Sequence, residues 1–140
     1  MRRSIFMALL VALGCQSDPT IVNPATFERP GDVALVCYDQ TARDYVALST
    51  CAGDDERYSL TALVTQTASG EIGAIDLGES RTIDADIRVP GYTFVRVGEV
   101  PSGLVVPADE PAVTYVANFG SRNVQWIETA RFRPDVDTSP

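Results

Sequence analysis

The feature that most constrains the fold is a series of short runs rich in Val, Ile, Thr, Tyr and Phe, each bounded by Gly, Pro, Asp or Ser. Such runs are typical of β-strands, because branched and aromatic side chains pack well on a pleated surface. We predict strands at residues 32–38, 45–49, 60–67, 71–76, 82–88, 93–97, 103–106, 113–118 and 123–128. Two segments with a weak helical pattern, 40–47 and 129–133, are too short to form stable helices by themselves. The sequence therefore predicts an all-β protein.

One order of runs and turns occurs twice along the chain. In the second copy, Pro101 and Gly103 begin an apolar run, and a second run ends at Asn118. A turn at Gly120 leads into a third run, which begins near Val124. The first copy is degenerate and consists of residues 30–36, 60–65 and 70–76. Its first two runs are separated by a longer segment, residues 37–59, which we interpret as an insertion.

The second copy resembles the repeat of the YVTN family of β-propellers. The residues that carry the resemblance are Pro101, Gly103, Tyr115, Val116, Asn118, Gly120 and Val124. The resemblance implies a partial β-propeller in residues 30–133, with about two antiparallel blades of four strands each. A closed propeller needs about four to eight blades, so this segment would belong to a longer protein or associate with copies of itself. The alternative is a small β-sandwich.

Three residues of the second copy have a predicted local role. Gly98 and Gly120 are expected to adopt a positive φ at tight turns, where glycine carries no steric penalty. Trp126, the single Trp, is expected to pack between adjacent blades.

The N-terminal segment has the pattern of an export signal. Arg2 and Arg3 precede a short apolar run, and the small residue Gly14 comes directly before Cys15. The run is too short to span a bilayer, which needs about 20 residues. The segment resembles bacterial lipoprotein signals, in which the cysteine is alkylated with a diacylglyceryl group and becomes the mature N-terminus. Leu13 lies one place later than in the usual lipobox, so an ordinary secretory signal is the alternative.

These patterns predict the organisation of the chain ends. Residues 1–14 form the signal peptide, and the polar segment 15–29 is an extended tether between lipid and fold. Residues 134–140 form a flexible tail. Gln16 in place of Asp implies, by the same resemblance, sorting to the outer membrane. We therefore expect an exported protein that is held in the cell envelope by a lipid anchor.

Two further cysteines, Cys37 and Cys51, remain after Cys15 is set apart. An even pair in an exported chain indicates a disulfide. Two buried thiols or a metal-binding pair are the alternatives. Zinc is disfavoured, because the chain has no His and no Cys-x-x-Cys motif.

Composition and motifs bear on function mainly by exclusion. The chain carries a formal net charge of −8, so it repels nucleic acid. Without His there is no Ser-His-Asp triad, and neither a Gly-x-Ser-x-Gly nor a phosphate-binding loop is present. No catalytic residue, cofactor or metal is predicted.

The hypothesis we favour is a cell-envelope lipoprotein that acts as a non-catalytic binding or scaffold module of propeller type. Its expected partners are the membrane, through the lipid, and an unidentified protein or small-molecule ligand. Self-association through open blade faces is also expected. The alternative is a fragment of a propeller enzyme, such as a lactonase-like hydrolase, whose active-site residues lie outside this chain.

Overall fold

The computed structural model describes residues 27–52, 56–85 and 93–133. These residues form nine strands and two short 3₁₀ turns, so the all-β prediction is confirmed. The strands are β1 (Pro30–Asp39), β2 (Asp44–Val46), β3 (Tyr58–Gln66), β4 (Glu71–Asp76), β5 (Arg81–Ile83), β6 (Phe94–Arg96), β7 (Pro101–Val105), β8 (Val113–Asn118) and β9 (Asn123–Glu128). The 3₁₀ turns are Leu48–Ala52 and Thr129–Phe132. The predicted signal peptide, Cys15, most of the tether and the tail lie outside the described residues.

The first sheet is an antiparallel meander in the order β1-β3-β4, and β2 adds to the free edge of β1. Both β5 and β6 pair with the far edge of β4. Ala74 on β4 pairs with Ile83 of β5, and the next residue, Gly73, pairs with Phe94 of β6. The two short strands therefore continue one another, and together they supply the fourth strand of the meander.

The second sheet has three antiparallel strands in the order β7-β8-β9. Pro101 begins β7, which suits a residue that has no backbone N–H to donate. The strands β8 and β9 pair without a register shift, from Val113 opposite Glu128 to Asn118 opposite Asn123.

In the part of the chain that the structure describes, no helix is long and apolar enough to span a membrane.

The core lies between the two sheets. The first sheet contributes Val36, Leu63 and Ile72, and the second contributes Leu104, Val116 and Ile127, all of them buried. Phe132, from the last 3₁₀ turn, is also fully buried. Because each sheet alternates its side chains between two faces, one face of each sheet forms this core and the other face points away.

A polar contact fixes how the two sheets meet. Asp32 on β1 accepts a hydrogen bond from the backbone N–H of Leu104 on β7 at 2.9 Å. The backbone N–H of Asp32 in turn donates to the Thr65 hydroxyl at 2.7 Å. These bonds hold β7 beside β1, so the first strands of the two meanders lie next to each other.

Three predicted strands are shorter in the structure. The segment 93–97 loses one residue at each end, since β6 is Phe94–Arg96. The segment 45–49 ends as a strand at Val46, because the chain turns to bring Cys51 beside Cys37. In the segment 82–88 the strand β5 ends at Ile83, because Phe94 of β6 already occupies the next position on the β4 edge. Residues 86–88 of that predicted strand lie outside the described residues. Period-two alternation predicts that a segment is extended, but it does not show how much partner edge is free.

The expected role of two glycines was wrong. Among the described glycines, only Gly70 has a positive φ, of 70°. Gly98 is instead required by a close approach, because a Cβ there would lie 2.6 Å from Cγ of Asn118. The left-handed positions in these two turns are Val100, with φ of 51°, and Arg122, with φ of 53°.

Candidate functional site

The residues that carry the repeat motif lie together in the second sheet but on opposite faces. Val116 and Asn118 point into the core and are 0% and 1% exposed. Gly103, Tyr115 and Val124 lie on the other face, as the pairing of Gly103 with Ala117 and of Ala117 with Val124 shows. The motif therefore both builds the core and forms an exposed surface.

Asn118 anchors the turns at one end of the second sheet. Its Nδ2 donates to Oδ1 of Asn123 at 3.1 Å, and its side chain packs against Gly98. Just after it, the backbone N–H groups of Phe119 and Gly120 donate to the carbonyl oxygens of Val100 and Glu99, both at 2.9 Å. These bonds hold Val100 in a conformation that β-branched residues rarely adopt.

The face of the second sheet that points away from the core is the main candidate site, and we call it the outward face. It consists of two rows across the strands. One row is Gly103, Ala117 and Val124, and the other is Val105, Tyr115 and Trp126. Phe119 lies beyond the first row, at the turn that follows β8.

The outward face is apolar and open to solvent. Phe119 is 77% exposed, Val124 70%, Trp126 64%, Val105 58% and Tyr115 40%. An antiparallel sheet with one solvated face normally carries polar side chains on that face. A contiguous exposed apolar surface instead marks a site of interaction. Trp126 therefore does not pack between the two sheets of this chain but belongs to the open surface.

One end of the outward face forms a shallow cleft. The cleft has a volume of 680 Å³, and its lining includes Ser102, Phe119, Arg122 and Val124. Among the described residues that line the cleft, Arg122 is the only one with an ionisable side chain. The cleft is suited to receiving a small apolar side chain accompanied by an acidic group.

The first sheet also has apolar residues on its outer side. Val33 and Leu35 of β1 are 54% and 43% exposed. Further along this side, the rings of Phe27 and Phe94 meet edge to face at 5.3 Å between centroids and cover Gly73. This side is therefore partly covered within the chain, whereas the outward face of the second sheet is open.

A buried ion pair connects the end of β4 to the last described residue, Arg133. The Asp76 side chain is 2% exposed, and its Oδ2 lies 3.0 Å from Nη2 of Arg133. Its Oδ1 accepts the backbone N–H groups of Gly78 and Glu79 at 3.0 and 3.2 Å. The Arg133 guanidinium also lies 4.2 Å from the centroid of the Tyr38 ring.

The ionisation of Asp76 reflects these contacts. Burial alone would raise the pKa of Asp76, but the hydrogen bond from the Glu79 backbone and the charge of the nearby Arg133 guanidinium lower it below its usual range. Nearby, burial raises the pKa of the Tyr45 hydroxyl well above its usual range. Asp76 therefore stays ionised and Tyr45 stays neutral near pH 7, as expected for a structural cluster.

A disulfide and an ion pair stabilise the insertion between β1 and β3. Cys37 and Cys51 form a disulfide, with their Cα atoms 5.6 Å apart. At the end of β1, Oδ2 of Asp39 lies 2.7 Å from Nη2 of Arg57. Hydrogen bonds from the Arg57 side chain and from the backbone of Ala42 and Thr41 lower the pKa of Asp39 to about 2. Sequence reasoning found the disulfide but gave no signal for this ion pair.

Within residues 27–52, 56–85 and 93–133, no three His, Cys, Asp or Glu side chains come together as a metal site.

In comparisons with protein-family models, curated proteins and solved structures, the chain matched none of them. The outward face thus remains the feature that bears most directly on function.

Proposed function

We propose that the protein is a lipid-anchored, non-catalytic binding or scaffold module of the cell envelope, built from sheets of the β-propeller type. The observation that carries the proposal is the outward face, because a sheet that is apolar on both sides is built to be covered on both sides. A module of this kind contributes packing surface, and it needs no reacting group of its own.

The order of the strands supports the propeller type. Strands β1, β3 and β4 correspond to the three runs of the first copy, and β7, β8 and β9 correspond to those of the second. The short strands β5 and β6 together act as the fourth strand of the first meander, and a propeller blade has four strands. The two meanders pack face to face with their first strands adjacent. A further sheet on the outward face would continue the same stack.

Attachment to the envelope is supported by the sequence pattern that ends at Cys15. A single acyl chain gives only marginal membrane binding, and two or more chains give stable anchoring. The acidic composition would not draw the protein to anionic lipid heads, so the anchor would act by hydrophobic insertion. We assign the binding of an unidentified protein or small molecule to the folded part, and the net negative charge of the chain disfavours nucleic acid as a partner.

The test of the anchor compares the wild-type chain with Cys15→Ala in a bacterium with two membranes. We expect the wild type in the outer-membrane fraction and labelled by an alkyne fatty acid, whereas Cys15→Ala should be unlabelled. Ser17→Ala, two residues further on, is the matched control and should behave as the wild type. A wild type that takes up no label would contradict the anchor.

The propeller-type assembly is tested by the intact mass of the native protein from its own membranes. A mass well above that of residues 15–140 with their acyl chains would show further sequence, which is the simplest source of additional blades. A mass equal to that of residues 15–140 with acyl chains would leave the outward face to be covered by another molecule. A wild-type mass without acyl chains would contradict the lipid anchor.

A further inference from the structure

We propose that a second copy of this chain covers the outward face, in a two-fold dimer that packs the second sheets face to face. The inference requires only the second sheet, so it holds whether or not Cys15 carries lipid. It goes beyond a general scaffold role because it names the partner of the exposed surface.

The two rows of the outward face differ in size. Gly103 and Ala117 are the smallest side chains of one row, and Tyr115 and Trp126 are the largest of the other. Facing layers pack densely when large residues of one lie over small residues of the other. One row of this face is therefore a good counterpart for the other row.

A two-fold axis brings the two rows together. The axis lies in the plane between the two copies, at right angles to the strands, and passes between the rows. Rotation about it places each strand over its own copy, running in the opposite direction. Tyr115 of one copy then lies over Ala117 of the other, and Trp126 lies over Val124. Val105 in the same way lies over Gly103, so each large residue meets a smaller one.

The same rotation also matches the ends of the face. Val113 and Glu128 pair with each other at one end of β8 and β9, and Phe119 and Arg122 lie at the other end. Val113 of one copy is placed over Phe119 of the other, where the shallow cleft lies. Glu128 is placed near Arg122, so opposite charges meet at both ends of the interface.

The exposed area fits a modest dimer. With about 200 Å² for each fully exposed aromatic side chain, Phe119, Trp126 and Tyr115 expose roughly 360 Å² together. The two exposed valines bring the patch to about 500 Å², near the upper end for a single protein. Two such patches bury about 1,000 Å², which is the lower limit of a specific interface. We therefore expect association in the micromolar range.

A second copy explains the face better than a downstream sheet of the same chain does. A downstream sheet would bury the same apolar residues, but it would not require the face to complement itself in both size and charge. The pairing of Glu128 with Arg122 and of large with small rows is self-consistent only when the same surface appears on both sides.

The test is photo-cross-linking of the full chain in intact cells, with p-benzoylphenylalanine in place of Trp126. We expect a product of twice the mass of the chain, joined near Val124 of the other copy. Leu48 is an exposed position away from the face and is the matched control, for which no such product is expected. A product with another protein, a link within one chain, or no product at all would overturn the proposal.

A charge exchange makes the geometry itself testable. Arg122→Glu should lower the yield of the dimer product roughly five- to tenfold, because two like-charge pairs replace two attractive ones. Adding Glu128→Arg should restore the yield. An equal yield in all three proteins would overturn the two-fold arrangement, and the membrane fraction of each shows that the anchor is unaffected.

Discussion

We expect the ion pair between Asp76 and Arg133 to be the polar interaction that stabilises the fold most. It joins the end of β4 to the last described residue, so it holds the segment after β9 against the first sheet. We expect Asp76→Asn to lower the free energy of unfolding by about 3 kcal/mol, as is typical when one partner of a buried pair is removed. In a domain of this size that is a fall in Tm of about 15 °C.

The magnitude follows from what each atom loses. The asparagine Oδ1 still accepts the backbone N–H groups of Gly78 and Glu79, so the turn after β4 is preserved. Its Nδ2, however, presents a donor to the Arg133 guanidinium, whose side chain is only 16% exposed. The cost is therefore a buried cation without its counter-charge, and not the loss of the turn.

A double-mutant cycle in urea, followed by circular dichroism, measures this effect. Arg133→Met should lower the free energy of unfolding by a similar amount. The double variant should lower it by about 4 kcal/mol, which corresponds to a coupling energy of about 2 kcal/mol. Glu79→Gln is the control, since the Glu79 and Arg81 side chains are paired but 60% and 56% exposed. That change should stay within about 0.5 kcal/mol. Additive single effects would refute the reasoning.

Three further predictions concern other parts of the fold. The pKa of Asp39 is lowered from 3.8 to about 2, so ionised Asp39 stabilises the folded protein fully above pH 3.8, and this contribution is lost as the pH falls toward 2. When the urea midpoint is measured against pH, Asp39→Asn should flatten the curve in this range. Gly98→Ala should lower the free energy of unfolding, measured by thermal unfolding, by about 1–3 kcal/mol, because the new methyl group would lie 2.6 Å from a buried side-chain carbon. The control Gly78→Ala should lower it by less, because the nearest atom there is 3.4 Å away. Reduction of the Cys37–Cys51 bridge, with a sequence separation of 14, should cost about 3 kcal/mol. Both thiols should resist alkylation until reduced, and reaction in the unreduced protein would argue against the bridge.

Much of the strand pattern could be predicted from the sequence. Strands β4, β8 and β9 have the predicted bounds residue for residue, because each is a short apolar run between turn residues and pairs with its neighbour in the chain. The end of β5 at Ile83 could not be predicted in this way. It depends on Phe94, which lies further along the chain and competes for the same edge of β4.

The candidate site was predicted only in part. The motif residues Tyr115 and Val116 stand out in the sequence, but adjacent apolar residues do not show which of them faces the core. An apolar run without polar alternation is typical of a strand covered on both faces, and this was the available signal for the outward face. The partners of Asp39 and Asp76 gave no local signal, because each ion pair joins segments that only the fold brings together.

The interrupted edge of β4 has a consequence for how this protein can vary. Ile83 and Phe94 occupy consecutive register positions beside Ala74 and Gly73, so the chain leaves the sheet and returns to it at almost the same place. Doubling the length of a segment whose ends are held in this way costs only about 0.6 kcal/mol in closure entropy. The segment between β5 and β6 is thus a suitable insertion site, where an epitope or a reporter peptide could be added without changing the pairing of either strand.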